Sequence, residues 1–276
     1  MLAPALTVIV VLFIGGFLLG VMQSFNYMPL VGQYTFDLSA YEAILSDSSF
    51  ITSLLFTLYI ALASTVLSIA LAVLLAMGIR KTFKGKAAVV FSFQFPLPIP
   101  HLVAGIAILL LLSQSGFVSR LLNALGLVTS PSAFPEIIYG QWGLGIILAL
   151  MWKFVPFVGV AVLAVLQSNG ASYEQVATSL GASPWQRFRH VLFPLLMPTI
   201  STSAILIFAY AFSSYEIPFL LGAVYPKTMS IIAYQKFMDI NILVRPQAMA
   251  MATIITVIVS LIVIVYKKFS ARFRYE

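Results

Sequence analysis

Long runs of Val, Ile, Leu, Ala and Phe alternate with short polar stretches along this 276-residue chain. A helix that crosses a bilayer needs about 20 mostly apolar residues. Runs of that length predict spans over residues 2–22, 53–79, 87–112, 142–166, 195–220 and 248–266. They are too long for barrel strands and lack a period-two polarity, so a transmembrane β-barrel does not fit. The expected fold is an all-α integral membrane protein with six transmembrane helices in a single domain, 1–276. The first run has no basic leader and no clear small-residue cleavage site, so a retained helix is expected rather than a signal peptide.

One joining segment, about 167–193, is too structured to be a plain loop. Ser172 to Gln175 has the S-x-x-[EQ] form of a capping box, which predicts a short helix from Tyr173 to Leu180. Gly181 follows where a left-handed residue closes a helix. Ser183 to Gln186 is a second capping box, with Pro184 at the first helical position, where a missing N–H costs nothing. Trp185, Phe188 and Leu192 share one helical face, and Pro194 and Pro198 mark the return to apolar sequence. Helix, glycine turn, helix is the expected form. From spacing alone it suits either a pair resting on lipid headgroups or a docking element for a partner.

Charge then orients the chain. Arg80, Lys81, Lys84 and Lys86 follow the second run; Arg187 and Arg189 lie between the fourth and fifth; Lys267, Lys268, Arg272 and Arg274 end the chain. The other loops hold a mixture: Asp37, Glu42, Asp47, Arg120, Glu136, Lys227, Lys236, Asp239 and Arg245. Short cytoplasmic loops are enriched in Lys and Arg, so both termini and the 167–193 segment are expected in the cytoplasm. The net charge of +7 is thus a topology signal and calls for no nucleic acid. Hydrophobic residues make up 61% of the chain and charged ones 8%, against about 25% charged in soluble domains. There is no cysteine, which excludes disulfides and thiolate metal sites. The two histidines, His101 and His190, lie far apart, so no metal site is expected.

The segment Gln175-Val-Ala-Thr-Ser-Leu-Gly-Ala-Ser183 followed by Phe193-Pro194 resembles the EAA loop of inner-membrane permease subunits of binding-protein-dependent ABC importers. Phe95-Pro-Leu-Pro-Ile-Pro-His101, before Leu-Val-Ala-Gly105, looks like the Pro-rich start of a middle span in that family. The resemblance runs from about Ser53 to the end, and 175–194 is its most specific part. It departs at Gln175, where the family has glutamate, and at Val176, where it has alanine; Glu174 lies one residue earlier, about 100° round the helix.

The resemblance implies a permease that forms half of a translocation path. Its partners would be two cytoplasmic ATPases, a second permease, expected to be a different chain, an extracytoplasmic binding protein and the lipid bilayer of a bacterial inner membrane. It implies coupling roles for Glu174, Gln175, Ala177, Gly181, Ala182, Trp185, Arg187 and Arg189. With no G-x-x-x-x-G-K-[ST] loop, this chain is not the ATP-binding subunit; ATP and Mg belong on the partner, and no enzyme activity or cofactor is expected here. The segment 212–222 looks most like the polyamine, iron, thiamine and sulfate group, and spermidine or putrescine is the expected cargo. A secondary transporter or a non-transporting membrane anchor is the alternative, although no internal repeat is visible.

Polar residues within the runs are the candidates for the substrate path: His101, Lys153, Tyr210, Ser213, Ser214, Tyr215 and Glu216. A charge at mid-membrane is costly and faces protein or water. Lys153 therefore reads either as a path residue or as a structural partner of a neighbouring helix, and Glu216 either as a site for a cation or as an interfacial carboxylate. Three prolines, Pro96, Pro98 and Pro100, break the third run; within a bilayer such a break must face protein or a cavity.

The cysteine-free background tests the topology directly. Lys84→Cys and Arg187→Cys should react only with a thiol reagent that crosses the membrane. Asp47→Cys and Lys227→Cys should react with an impermeant one in intact cells. Labelling of positions 84 and 227 from one side would refute six spans.

Overall fold

A computed structural model describes residues 3–80 and 84–272. Leu2, Lys81 and Arg274, which entered the sequence reading, lie outside them. Among the described residues six segments are long and apolar enough to cross a membrane: Leu6–Ser24, Ser48–Ile79, His101–Ala124, Leu144–Ser168, Pro184–Ser213 and Ile242–Tyr266. They gather into two compact units, Met1–Thr57 with Pro226–Arg272, and Leu58–Tyr225.

In the first unit α1 (Ala3–Ile9) passes through a π-helical turn into α2 (Gly15–Ser24). After it come α3 (Ser39–Leu45), the start of α4 (Ser48–Ile79) and, from the far end of the chain, two helices of the same unit. Asn26 turns the chain after α2 at a φ of 62° and donates from Nδ2 to Asp37 and to Ser39 Oγ. Thr57 Oγ1 donates to Ser53 O (2.6 Å) and accepts from the Met229 N–H (2.9 Å). A buried hydroxyl thus satisfies one of the orphan N–H groups that every helix start leaves.

At about 1.5 Å per residue, the 32-residue α4 is longer than a bilayer's apolar core requires. One seam of it is small and buried: Ser53, Thr57, Ala61, Ser64, Ser68, Ala72 and Ala76. Small residues at such spacing let backbones approach closely, which is how helices associate without a hydrophobic drive.

The second unit is built round α8 (Leu144–Val165), the most deeply buried of the crossing segments. Before it come α5 (Lys86–Gln94), α6 (His101–Leu112) and α7 (Phe117–Ala124). After it come α9 (Ala171–Ser179), α10 (Pro184–Arg187), α11 (Phe193–Ser213) and α12 (Glu216–Leu221); α13 (Met229–Phe237) and α14 (Arg245–Arg272) complete the chain in the first unit. The ring of Phe93 on α5 lies over Gly159 of α8, so close that a Cβ there would fall 2.2 Å from Phe93 Cζ.

Two predicted spans are corrected. The third run splits into α5 and α6, and the crossing segment is 101–124 rather than 87–112, because the prolines interrupt the helix between Gln94 and His101. The fifth starts at Pro184 and ends at Ser213 rather than running 195–220; Ser214, with ψ 132°, breaks the helix, and α12 is separate.

The proline break exposes carbonyls that no helix can use. Lys153, projecting from the middle of α8 and 5% exposed, donates to Pro96 O (2.6 Å), Leu97 O (3.0 Å) and Ile99 O (2.5 Å). An ammonium has three donors, and here each finds an acceptor. Of the two readings of Lys153, the structural one describes its contacts. Lys153→Met should keep the bulk and leave three acceptors unmatched. A loss of roughly 2–4 kcal/mol is expected, read as a lower thermal midpoint in detergent, with Lys153→Arg intermediate. An unchanged midpoint in the methionine variant would dismiss the role.

Candidate functional site

The polar segment between α8 and α11 departs from its predicted form at its start. Gly170 has helical angles (φ −62°, ψ −36°), and α8 runs through a π-helical stretch, Leu166–Gly170, directly into α9. The Ser172 capping box is therefore absent. An N-cap needs extended backbone, and this chain never leaves the helix there.

The other half of the prediction matches. Gly181 has φ +80°, its N–H bonds Thr178 O (3.0 Å), and the Ala182 N–H reaches back to Ala177 O (3.0 Å). This pair of bonds is the Schellman closure. At Ser183 both arms of a capping box are present: Ser183 N–H to Gln186 Oε1 (2.8 Å) and Gln186 N–H to Ser183 Oγ (3.4 Å). Past α10 a second π-helical stretch, Phe188–Leu192, leads into α11.

Glu174 is held within the chain. Arg80, just past α4, grips its carboxylate with both terminal nitrogens, one of them at 2.9 Å. Arg187 Nη1 stands 3.8 Å from the same carboxylate and donates to Thr178 Oγ1 (2.7 Å). Ala177 is buried and Ala182 half-buried, so both serve the turn's packing. Gln175, Trp185 and Arg189 are exposed, as are Tyr173, Val176 and Leu180 along one side of α9. Glu174, Gln175, Thr178, Ser179 and Arg187 line an open concavity of about 650 Å³. Gln175 is exposed, whereas the Glu174 carboxylate is engaged by Arg80.

A second cavity, about 240 Å³, lies in the apolar part of the same unit. Leu97, His101, Lys153, Phe154, Phe157, Leu206, Ile207 and Tyr210 line it. The His101 ring stacks on Tyr210 (centroids 4.5 Å apart), and Phe154 meets Tyr210 edge-on at 5.9 Å. The structure thus brings together three of the predicted path residues, His101, Lys153 and Tyr210. Ser213, Ser214, Tyr215 and Glu216 are not among its lining residues; Ser213 Oγ bonds Ala209 O (2.8 Å), the Tyr215 ring stacks on Phe219, and Glu216 is exposed at the start of α12.

Arg80, Thr178 and the apolar cavity wall escaped the sequence reading. Arg80 was read only as a topology charge, and nothing in sequence marks a pairing across 94 positions. The wall residues look like any other lipid-facing side chain.

A helical membrane protein with a capped polar loop ahead of its fifth crossing segment is the class these features define. The chain belongs to the family described as the binding-protein-dependent transport system inner membrane component, whose pattern matches residues 68–275. It is 28% identical over 185 residues to a probable sulfate transport system permease protein of Marchantia polymorpha, covering 66% of this chain and 61% of that one. It is 30% identical over 190 residues to a molybdenum transport system permease protein of Mycobacterium tuberculosis, covering 67% of each. The first of these matches spans less than two thirds of the relative's length. The fold is shared with a chain of the crystal structure of a bacterial alginate ABC transporter in complex with alginate pentasaccharide-bound periplasmic protein. There the TM-score is 0.82 at 20% identity, over 99% of this chain and 93% of that chain.

Gly181 is the position most sensitive to a side chain in this loop. No atom lies within 4 Å of where a Cβ would stand, so the cost is backbone strain alone, about 1–2 kcal/mol and more for a β-branched residue. Gly181→Val should insert into the membrane at normal levels yet lose transport, while Gly181→Asn, tolerant of this region, should be milder. Full transport in the valine variant would remove the turn from any coupling role.

Proposed function

We propose that this chain is a permease subunit of an ATP-driven importer and forms half of its translocation path. The observation that carries the reading is the rigid polar loop: a Schellman-closed helix at Gly181 followed by a boxed cap at Ser183, in a chain of the binding-protein-dependent family. A rigid loop of this kind can carry motion from a soluble ATPase into the spans. The assembly would comprise two cytoplasmic ATPases, which bind ATP and Mg, a second permease and an extracytoplasmic binding protein. Both termini and the loop would face the cytoplasm, in keeping with Arg80, Lys84, Lys86, Arg187 and Arg189 on that side.

For the cargo we infer a small oxyanion of the sulfate or molybdate kind, in place of the polyamine expected from sequence. Two relatives carry sulfate and molybdenum in their names. The cavity beside the proline break supports the same reading. Its lining residues include Lys153 and no acidic residue; Glu216, the residue that suggested a cation, is not among them. All three Lys153 donors are taken by carbonyls, so its attraction for an anion would be through charge rather than a direct hydrogen bond.

Affinity purification from native membranes, with mass spectrometry, should find an ATPase and a second permease. Cells should take up labelled sulfate or molybdate in an ATP-dependent way. Uptake driven by an ion gradient with no ATPase present would replace this reading with a secondary transporter. Glu216→Gln should leave uptake within about twofold of the parent, the scale of an ordinary exposed substitution. A large loss of polyamine uptake in that variant would restore the cationic cargo.

A further inference from the structure

The α9–α10 loop meets the spans through two π-helical stretches, Leu166–Gly170 before it and Phe188–Leu192 after it. π-Helical turns are rare and short, occur often at functional sites, and are among the places where helices kink. The two stretches also lie against each other: a Cβ on Gly170 would fall 3.6 Å from Leu192 Cδ2. Both covalent routes from α9 into the membrane therefore pass through the less regular part of their helices.

A third route is not covalent. Arg80 sits one residue past α4, and its guanidinium holds the Glu174 carboxylate at two points. A two-point grip fixes orientation as well as distance. The two side chains are only 14% and 21% exposed, and the Nε atoms of Arg80 and Arg187 are buried without hydrogen-bond partners. Removing the carboxylate would leave two guanidiniums near each other with no anion between them. Arg187 extends the cluster to α10 through Thr178 Oγ1, whose own hydroxyl donates to Glu174 O (2.7 Å). The receiving end is anchored as well, since Lys86 Nζ at the start of α5 donates to Arg80 O (3.1 Å).

We propose that Arg80 and Glu174 are positioning residues for transport: their ion pair makes α9 and the adjoining end of α4 move as one body. A push on α9 then reaches the second crossing segment directly, in addition to travelling along the softer joints to α8 and α11. The proposal rests on the reading of this loop as the ATPase contact. It assigns Glu174 to the permease's own transmission, leaving the exposed side of α9 to Tyr173, Val176 and Leu180.

Two measurements test it. The first needs no partner. In the detergent-purified chain, Glu174→Gln should raise hydrogen exchange of the α9 amides by roughly tenfold, the scale of a lost link of this size, with the α8 core unchanged. Unchanged exchange in α9 would overturn the clamp. The second uses the complex with its ATPase, reconstituted in vesicles. Arg80→Gln should retain the ATPase and its basal hydrolysis while cargo moved per ATP falls by roughly tenfold, and Glu174→Gln should lower cargo moved per ATP by a similar factor. The double variant Arg80→Gln with Glu174→Gln should lose no more than either single variant, the non-additivity that a double-mutant cycle reads as a direct interaction. Transport per ATP in the single variants equal to the parent's, or losses that add in the double variant, would overturn the proposal. Failure of the parent chain to hold any ATPase would instead overturn the functional reading, and the exchange measurement would still decide the clamp.

Discussion

An interior without water cannot satisfy a broken backbone, and that constraint shapes the second unit. Pro96, Pro98 and Pro100 take the chain out of helix inside an apolar sequence, and the released carbonyls would each cost on the order of 1–3 kcal/mol if left bare. Lys153 answers three of them with one ammonium. The arrangement is reciprocal: the carbonyls also give a buried charge the company it needs. Only because this match is made can a non-helical turn stand beside α8, and only because the turn stands there does a cavity open against His101, Phe154 and Tyr210.

The same helix carries the second feature. α8 bears Lys153 at its middle and continues through a π-helical stretch into α9, where Glu174 meets Arg80. Twenty helical residues lie between Lys153 and Glu174, a rise of about 30 Å along the chain. Cavity and loop thus lie along one continuous helical stretch, and each is secured by cations: Lys153 to backbone oxygens, Arg80 with Arg187 to a carboxylate. In both cases the partner lies just outside another helix of the same unit, at the break between α5 and α6 or one residue past α4, so a few side chains tie α8 and α9 to those segments.

Stiff and soft parts alternate along the loop. Gly181 and Ser183 close and open helices with fully satisfied backbone groups, so the turn between α9 and α10 is well defined. The π-helical stretches on either side are the natural places for adjustment. A rigid piece held between adjustable joints is suited to transmit a displacement rather than absorb it.

The linear chain by itself determined the membrane class, the number of crossing segments and the glycine-closed turn. Those depend on local composition and on single-residue backbone preferences: long apolar runs, a residue able to take φ +80° at 181, and a Ser-Pro-Trp-Gln box at 183–186. Local signals failed where two structures were equally allowed. Ser172 could cap a helix, but the continuing turn of α8 was available too, and packing of Leu166 and Leu192 around Gly170 accompanies the unbroken form. The long-range pairings were beyond any local signal. That Lys153 would bond the proline-break carbonyls, that Arg80 would find Glu174 across 94 positions, and that His101 would stack on Tyr210 were decided by the tertiary structure. The reason is physical: an isolated charge in an apolar run states that a partner is required, while only the packed helices determine which one is within reach.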